Sequence, residues 1–598
     1  MNRRWLIIFL FIGLGVAFLL GLRFGETTGA RSSLKLVFEV RNRIHQSYVE
    51  EVDSMRVIDA AIDGLVAALP EGSNIYISPA EMAEVEVPER PISTPRLDDR
   101  GQVALLEEVF RHVSRQYVAR VSADTLSRGL VWGMLAALDP HSSYLDADDY
   151  AEMAERFRGD FEGIGIYFEI RQGKLMVIAP IVGSPSYGKL RAGDQIVQIE
   201  GVSTEGITNE QVMKKLRGAP GTRVRVSVNR QGRGEPFEVV IQRDRIEVHS
   251  VPYAYLLRPD LGYIRITRFA ETTGQELNDI LEELLARGME RLLLDLRGNG
   301  GGLLSQAVEV ADSFLDRGEL VVYTEGRTPQ SRQEYRAERP LEGYPLSLVI
   351  LIDHGSASAS EIVAGAIQDL DTGLIAGQTS FGKGLVQEQF PLSNNGGLLL
   401  LTVARYYTPL GRLIQRPYTD DLQAYIQEGL DDFDPNSVDS LRATKSIFHT
   451  AMGRAVYGGG GITPDLPLEE EFYSDFALNL FASGVLSDFS SHWVGTRESW
   501  RDGFDPFREH YEISQDALDA FRQYLIERDI PAPDEELTAH RDFLRRELKA
   551  GIAQVLWGDE ERYRIRLEGD QQMLQALDLF SRADELARAR SARSGAGY

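Results

Sequence analysis

Cysteine is absent from all 598 residues, which excludes a thiol nucleophile, disulfides and zinc sites built on thiolates. No His-Glu-x-x-His occurs either, so the metal-protease helix is missing, and no metal or cofactor is expected. Basic residues are outnumbered, 64 Lys and Arg against 90 Asp and Glu, for a formal charge of -26. No basic patch relieves this balance, which favours solubility and repels phosphate backbones, so no nucleic-acid partner is expected. Charge is missing altogether from Trp5 to Leu22, an apolar run of 18 residues behind Met1-Asn-Arg-Arg. The run exceeds most signal-peptide cores and is just long enough to span a bilayer. Because no clean Ala-x-Ala site follows, a signal anchor is expected ahead of a cleaved signal. Arg3 and Arg4 then place the body of the protein outside the cytoplasm, although Arg23 and Arg31 soften the asymmetry.

What is present is enough apolar residue, 43%, for several cores, and the length calls for about three to five domains. Residues 34 to 155 read as helical and repeat themselves at an offset of 69. Glu39-Val40 recurs as Glu108-Val109, Tyr48-Val49 as Tyr117-Val118, Val52 as Val121, and Gly64 with Ala67-Ala68-Leu69 as Gly133 with Ala136-Ala137-Leu138. Ser73 falls on Ser142. This suggests a duplicated helical hairpin, with the proline-rich stretch from Val87 to Pro95 as the join.

From about Phe161 the pattern alternates in short runs separated by glycine turns, with one helical stretch at Asn209 to Arg217. It reads as a small, partly open β domain ending near Arg245. At its mouth, Gly163-Ile164-Gly165-Ile166 can turn successive backbone N–H groups onto an anion such as a peptide carboxylate, although Gly-x-Gly alone is more often a plain turn. With Ser184-Pro185 and Leu190-Arg-Ala-Gly-Asp-Gln-Ile-Val-Gln-Ile-Glu-Gly201, this segment resembles a PDZ domain. That resemblance implies that the Gly-Ile-Gly-Ile loop holds the C-terminal carboxylate of a peptide added as a strand to the sheet edge.

Residues 261 to 410 alternate strand and helix, an α/β layer with two glycine-rich loops at strand exits, where such sheets place their chemistry. The first is Arg297-Gly-Asn-Gly-Gly-Gly302. The second is Gly355-Ser-Ala-Ser-Ala-Ser-Glu-Ile362, between the apolar run Leu346 to Ile352 and a helix from Ser360 to Leu370. Ser358 followed by Glu361 is also a capping box, and on its own residues a helix cap accounts for it equally well. Its company points further: Ala359 N–H beside the serine, and Gly301 and Gly302 across from it, are the donors an oxyanion hole needs. Lys383, between Gly382 and Gly384, can supply the base, since an amine withdrawn from water gives up its proton more readily.

Rival chemistries fit less well. His354 is four residues before Ser358, but side chains so close at a strand end usually point apart, and alanines replace the glycines of a Gly-x-Ser-x-Gly elbow. Gly377 to Lys383 has the spacing of a phosphate loop, but Gly384 stands where a Ser or Thr must hold magnesium.

Five segments together resemble the carboxyl-terminal processing peptidases of family S41, tail-specific proteases with an embedded PDZ domain. They are Leu138-Asp-Pro-His-Ser-Ser-Tyr144, Asp295-Leu-Arg-Gly-Asn-Gly-Gly-Gly302, Gly355 to Ile362, Phe381-Gly-Lys-Gly-Leu-Val-Gln387 and Leu401 to Pro409. The resemblance implies a serine endopeptidase with Ser358 as nucleophile and Lys383 as general base. Gln387, one helical turn on, would orient the lysine, and the α/β core would be crotonase-like, gated by its PDZ domain. Asp369 matches an acidic position of structural rather than catalytic role. The chain departs from the family in its duplicated N-terminal module, its long C-terminal extension and His354.

The expected organisation is a multidomain α/β protease core with an inserted PDZ domain and helical ends. Its parts are an anchor or signal at 1–33, helical modules at 34–100 and 101–157, PDZ at 158–246, catalytic core at 247–470 and a helical extension of unknown role at 471–598. Expected partners are proteins or peptides with a free C-terminus, a membrane through the N-terminal segment, and further copies in a homo-oligomer. The expected location is the extracytoplasmic, periplasmic face of the cell envelope. A catalytically silent PDZ scaffold is the alternative.

Overall fold

The computed structural model describes residues 34–70, 98–230, 233–339, 346–393, 397–418, 425, 445–469, 473–495 and 503–595. The expected anchor at 1–33 and the proline-rich join lie outside these residues. Among the described residues no helix is long and apolar enough to cross a membrane. The chain forms two compact units, one of residues 1–154, 316–338 and 381–462, the other of 155–315, 339–380 and 463–598. The expected catalytic core at 247–470 contributes residues to both units.

In the first unit, helices over residues 34–47, Ser54–Ala67, Asp99–Gln116 and Ala123–Ala136 carry the repeat. The second and fourth have bounds 69 residues apart, and both are N-capped by a short polar side chain, Asp53 and Ser122, each accepting from a backbone N–H. Equivalent positions are buried in both: Val57 and Leu126, Ala61 and Leu130, Ile62 and Val131, Leu65 and Met134. The equivalent glycines permit close packing, because a Cβ on Gly64 would stand 2.3 Å from Gly129 O and one on Gly133 2.0 Å from Ala60 O.

The same core takes in Leu399 and Leu401 of an antiparallel sheet. Its central strand, Leu398–Tyr407, pairs with Ser143–Leu145, Leu320–Glu325 and Leu385–Pro391. These long-range pairings explain why residues 316–338 and 381–462 join the N-terminal helices.

The second unit is built on a six-stranded sheet in the order Tyr253–Arg258, Leu261–Arg265, Arg291–Asp295, Ser347–Ile352, Gly373–Gly377, Leu466–Pro467. All pairings after the first are parallel. Ser347–Ile352 is buried at every residue, as an unbroken apolar run in a sheet covered on both faces must be. One cover comes from the C-terminal extension, whose Leu567, Met573, Ala576 and Phe580 pack with Leu293, Val349 and Leu351 of the sheet.

Ahead of this sheet lies the small β domain, ordered Ile166–Arg171, Lys174–Pro180, Gln195–Ile199, Arg223–Asn229, Phe237–Gln242. Its helix Asn209–Leu216 is capped by the Thr208 and Gln211 box and buries Val212 and Leu216 in the domain core. Ile166–Arg171 is an edge strand. The extension also has a core of its own, rich in aromatic residues such as Phe489, Phe521 and Phe543.

The glycine contacts make a prediction. Gly133→Ala places a methyl against backbone and should lower local stability by about 1–3 kcal/mol. Faster amide exchange across Ser54–Ala67 and Ala123–Ala136 is the expected result, and unchanged exchange contradicts this packing.

Candidate active site

The three serines of Gly355-Ser-Ala-Ser-Ala-Ser do different work. Ser356 Oγ donates to Leu296 O at 2.8 Å and accepts from Asp353 N–H at 3.0 Å, while Ser360 Oγ donates to Asn299 O at 2.8 Å. Both are fully buried and bind this turn to the neighbouring strand exit. Ser358 alone is partly exposed, immediately before the helix Ala359–Asp369. Its backbone has φ 56 and ψ -110, a region that costs a non-glycine residue on the order of 1–3 kcal/mol. Glu361 holds it there: the buried carboxylate accepts Ser358 N–H at 2.7 Å through one oxygen and Ser380 Oγ at 2.6 Å through the other. The N–H contact is one half of the expected capping box, so the helix cap and the presentation of Ser358 coexist.

Small residues are required where the two loops meet. A side chain on Gly301, whose φ is 96, would put its first carbon 2.8 Å from Ser358 Cβ and 2.9 Å from Ala359 N. Asn299 fastens the meeting point, accepting Ala357 N–H at 3.0 Å on its carbonyl and donating from Nδ2 to Ile266 O at 2.9 Å. One expected donor is corrected here: Gly301 N–H is spent on Asn299 Oδ1 at 2.9 Å, because the side chain folds back over its own turn. Gly302 bridges Phe269 through its neighbours' groups, so its own N–H points away from Phe269. Ala359 N–H is fully buried and has no acceptor among the described residues, and a buried orphan donor is rare. Ser358, Ala359, Gly301 and Gly302 are thus brought together in one unit.

Lys383 and Gln387 belong to the other unit. The lysine's backbone is gripped on both sides: Gly382 O accepts Arg416 N–H at 2.8 Å, Gly384 N–H donates to Gln415 Oε1 at 2.8 Å, and Tyr406 OH donates to Lys383 O. Lys383 Nζ donates to Gln387 Oε1 at 2.8 Å, and Gln387 Nε2 in turn donates to His141 O. Gln387 is in the strand Leu385–Pro391 and not one helical turn on, with a register shift between Val386 and Gln387. Lys383 itself precedes the strand, so its long side chain and not a shared strand face brings Nζ to Gln387.

In the small β domain, Ile164 O accepts Ser186 N–H at 3.1 Å, and Gly165 O accepts Ile181 N–H at 3.0 Å and Ser184 Oγ at 2.9 Å. The carbonyls are turned inward and tied. The N–H groups of Ile164 and Gly165, both buried, have no acceptor among the described residues. Gly163 and Ile166 belong to strands, in register with Asp244 and Pro180.

A family model described as peptidase family S41 matches residues 260–423, and one for the PDZ domain matches 159–229. A third, described as a family of unknown function (DUF8443), matches 476–558. A carboxy-terminal-processing protease of Bartonella bacilliformis is 39% identical over 319 residues, covering 52% of this chain and 73% of that protein. The chain belongs to peptidase family S41. Carboxy-terminal processing protease CtpA of Bacillus subtilis is 34% identical to this S41 peptidase over 313 residues, covering 52% of the chain and 66% of CtpA. Among solved structures, a photosystem II D1 C-terminal processing protease is 25% identical and covers 67% of this chain and 98% of its own, with a TM-score of 0.35. The protein is thus a serine-type peptidase of the carboxy-terminal-processing kind, an S41 core with a PDZ domain and helical regions on either side.

Sequence reasoning attached no role to the Leu138 to Tyr144 segment. In this S41 peptidase Asp139 organises it as a turn, accepting His141 N–H at 2.8 Å, Ser142 N–H at 2.9 Å and Ser142 Oγ at 2.7 Å. The turn presents His141 O to Gln387, and the available signal was the Asp-Pro-His-Ser-Ser motif itself. Burial, then the positive charge of Lys383, push the His141 imidazole down to about 4.

A histidine held neutral in the fold contributes stability above its unfolded value near 6.5 and loses it as pH falls toward 4. The contribution is on the order of 3 kcal/mol. Amide protection factors at the 139–145 turn, corrected for the intrinsic rate at each pH, should fall as pH drops through that window in the parent and not in His141→Gln. A His141 that titrates near 6.5 by NMR contradicts this environment.

Proposed function

We propose that this peptidase cleaves protein chains near their C-termini through a Ser358–Lys383 dyad, on substrates captured by their terminal carboxylate at the PDZ loop. The observation that carries this reading is the strained Ser358 turn beside the buried Ala359 N–H, which has no acceptor among the described residues. A donor without a partner, next to a hydroxyl that the fold strains itself to present, fits the place where an oxyanion forms.

In this mechanism Lys383, once its ammonium has given up a proton, takes the Ser358 Oγ proton as the oxygen attacks the scissile carbonyl carbon. Ala359 N–H and Gly302 N–H receive the negative charge on the carbonyl oxygen. The tetrahedral adduct collapses to an acyl-enzyme, and the lysine's proton goes to the departing amine. Water then attacks the ester carbonyl, its proton passing to Lys383, and the second collapse returns the proton to Ser358 Oγ. Gln387, held by the His141 carbonyl, aims the amine. The edge strand Ile166–Arg171 accepts the substrate's last residues as an added strand, with the N–H groups of Ile164 and Gly165 on the carboxylate. The domain boundaries given above, an extracytoplasmic location through the N-terminal run and a homo-oligomeric assembly belong to the same proposal.

Ser358→Ala and Lys383→Ala should each lower kcat/KM on an unfolded protein by at least about 10³-fold. Amidating the substrate's C-terminus should raise KM with the dyad intact. Cleavage by either variant at the parent's rate refutes the dyad, and peptide binding without turnover by the parent establishes the scaffold reading instead.

A further inference from the structure

The C-terminal extension carries no catalytic motif, yet its side chains end on the strand-exit loop that faces Ser358. Arg297, the first residue of that loop, is nearly enclosed. Its Nη1 donates to Asp570 Oδ1 at 3.1 Å and Gln572 Oε1 at 3.0 Å, and its Nη2 donates to Asp570 Oδ2 at 2.8 Å and Asp295 Oδ2 at 2.7 Å. Its carbonyl accepts Arg265 Nη2 at 3.1 Å. A relay fixes Arg265: its Nη1 donates to Tyr563 OH at 2.7 Å, Tyr563 OH lies 2.6 Å from Tyr263 OH, and Tyr263 OH donates to Asp295 Oδ2 at 2.7 Å. Because Tyr263 spends its proton on the carboxylate, Tyr563 is the donor between the two phenols. Two guanidiniums and two carboxylates therefore close on each other, one carboxylate and one phenol coming from the extension.

We propose that Asp570 and Tyr563 are positioning residues for the peptidase reaction, acting through Arg297 on the loop that lies against the nucleophile. The inference rests on the reading of Ser358 as nucleophile. The path is short: Gly298 N–H donates to Asp353 Oδ1 at 2.8 Å, Asn299 O holds Ala357 and Ser360, and Gly301 packs on Ser358 and Ala359. Without Asp570 the guanidinium is left with one carboxylate to share with Arg265. A cavity of about 390 Å³ borders it, with Asp353 of the nucleophile turn in its wall. Asp353 is the acceptor at hand, and an Arg297 that turns to it pulls on both loops at once. The extension thus does more than cover apolar surface, because it sets the register between the oxyanion loop and the serine.

The test is steady-state kinetics of full-length Asp570→Ala, Asp570→Glu, Tyr563→Phe and Ser358→Ala on a fluorogenic peptide with a free C-terminal carboxylate, with anisotropy for peptide binding and thermal melts for folding. Asp570→Ala should lose about 10- to 100-fold in kcat, with KM and peptide affinity within twofold of the parent. Asp570→Glu should recover most of that loss, and Tyr563→Phe should lose kcat in the same sense by less. If Asp570→Ala fails to fold, Tyr563→Phe decides alone. Parental kcat in the folded variants, or a loss shared equally by KM and peptide affinity, overturns the inference while Ser358→Ala is inactive. Parental turnover by Ser358→Ala overturns this inference together with the dyad.

Discussion

One buried carboxylate governs the site. Glu361 accepts the N–H of Ser358 and the hydroxyl of Ser380, and without it a serine at φ 56 would relax into the ordinary helix-capping conformation. The strain is tolerated because it is over-determined: Ser356 and Ser360 pin the turn from both sides, and Gly301 leaves no room for retreat. The first turn of the helix meets its other backbone needs locally, with Ser360 N–H on Ala357 O and Glu361 N–H on Ser358 O. Among the described residues Ala359 N–H is left over. A motif of alternating small residues and serines thus encodes a scaffold in which two hydroxyls are structural and one is presented.

The remaining architecture supports that turn by long-range pairing. A parallel sheet with both faces covered gives rigid strand ends, and the two glycine-rich loops leave from neighbouring strands, Arg291–Asp295 and Ser347–Ile352. Asp295 is fully buried, and burial alone would raise its carboxyl. Arg297 and Arg265 instead hold it well below the usual carboxylate range. Removing any one of these charges would strand the others in a poorly solvated place, which is why the network can act as a positioning device. The segment of Lys383 is held equally firmly in the other unit, by backbone bonds at Gly382 and Gly384 that tolerate no larger residue.

Local features were legible in the sequence to the extent that their cause was local. Ser347–Ile352 announced a buried strand by its unbroken apolar run, and the helical repeat was visible because Gly64 and Gly133 answer to the same packing demand. The serine turn was legible by its composition, though not the division of labour among its three hydroxyls. Gln387 was misread as one helical turn on because the spacing does not reveal that a strand begins at Leu385, between it and Lys383. The donor role expected of Gly301 failed for a reason no spacing reveals, an asparagine side chain folding back two residues. Asp570 and Tyr563 were invisible: they meet residues more than 250 positions away, and no periodicity marks an acidic or phenolic residue as the partner of a distant arginine. The sharing of 247–470 between two units was hidden likewise, since it depends on which strands pair with Leu398–Tyr407.

The central claim is that Ser358 carries the acyl group. Mass spectrometry of the enzyme quenched in acid during turnover of a peptide thioester with a free C-terminus tests it most directly. The account predicts the acyl mass on the proteolytic fragment containing Ser358, and its absence from Lys383→Ala. Steady turnover with the adduct on another residue, or an equal adduct in Lys383→Ala, would contradict it.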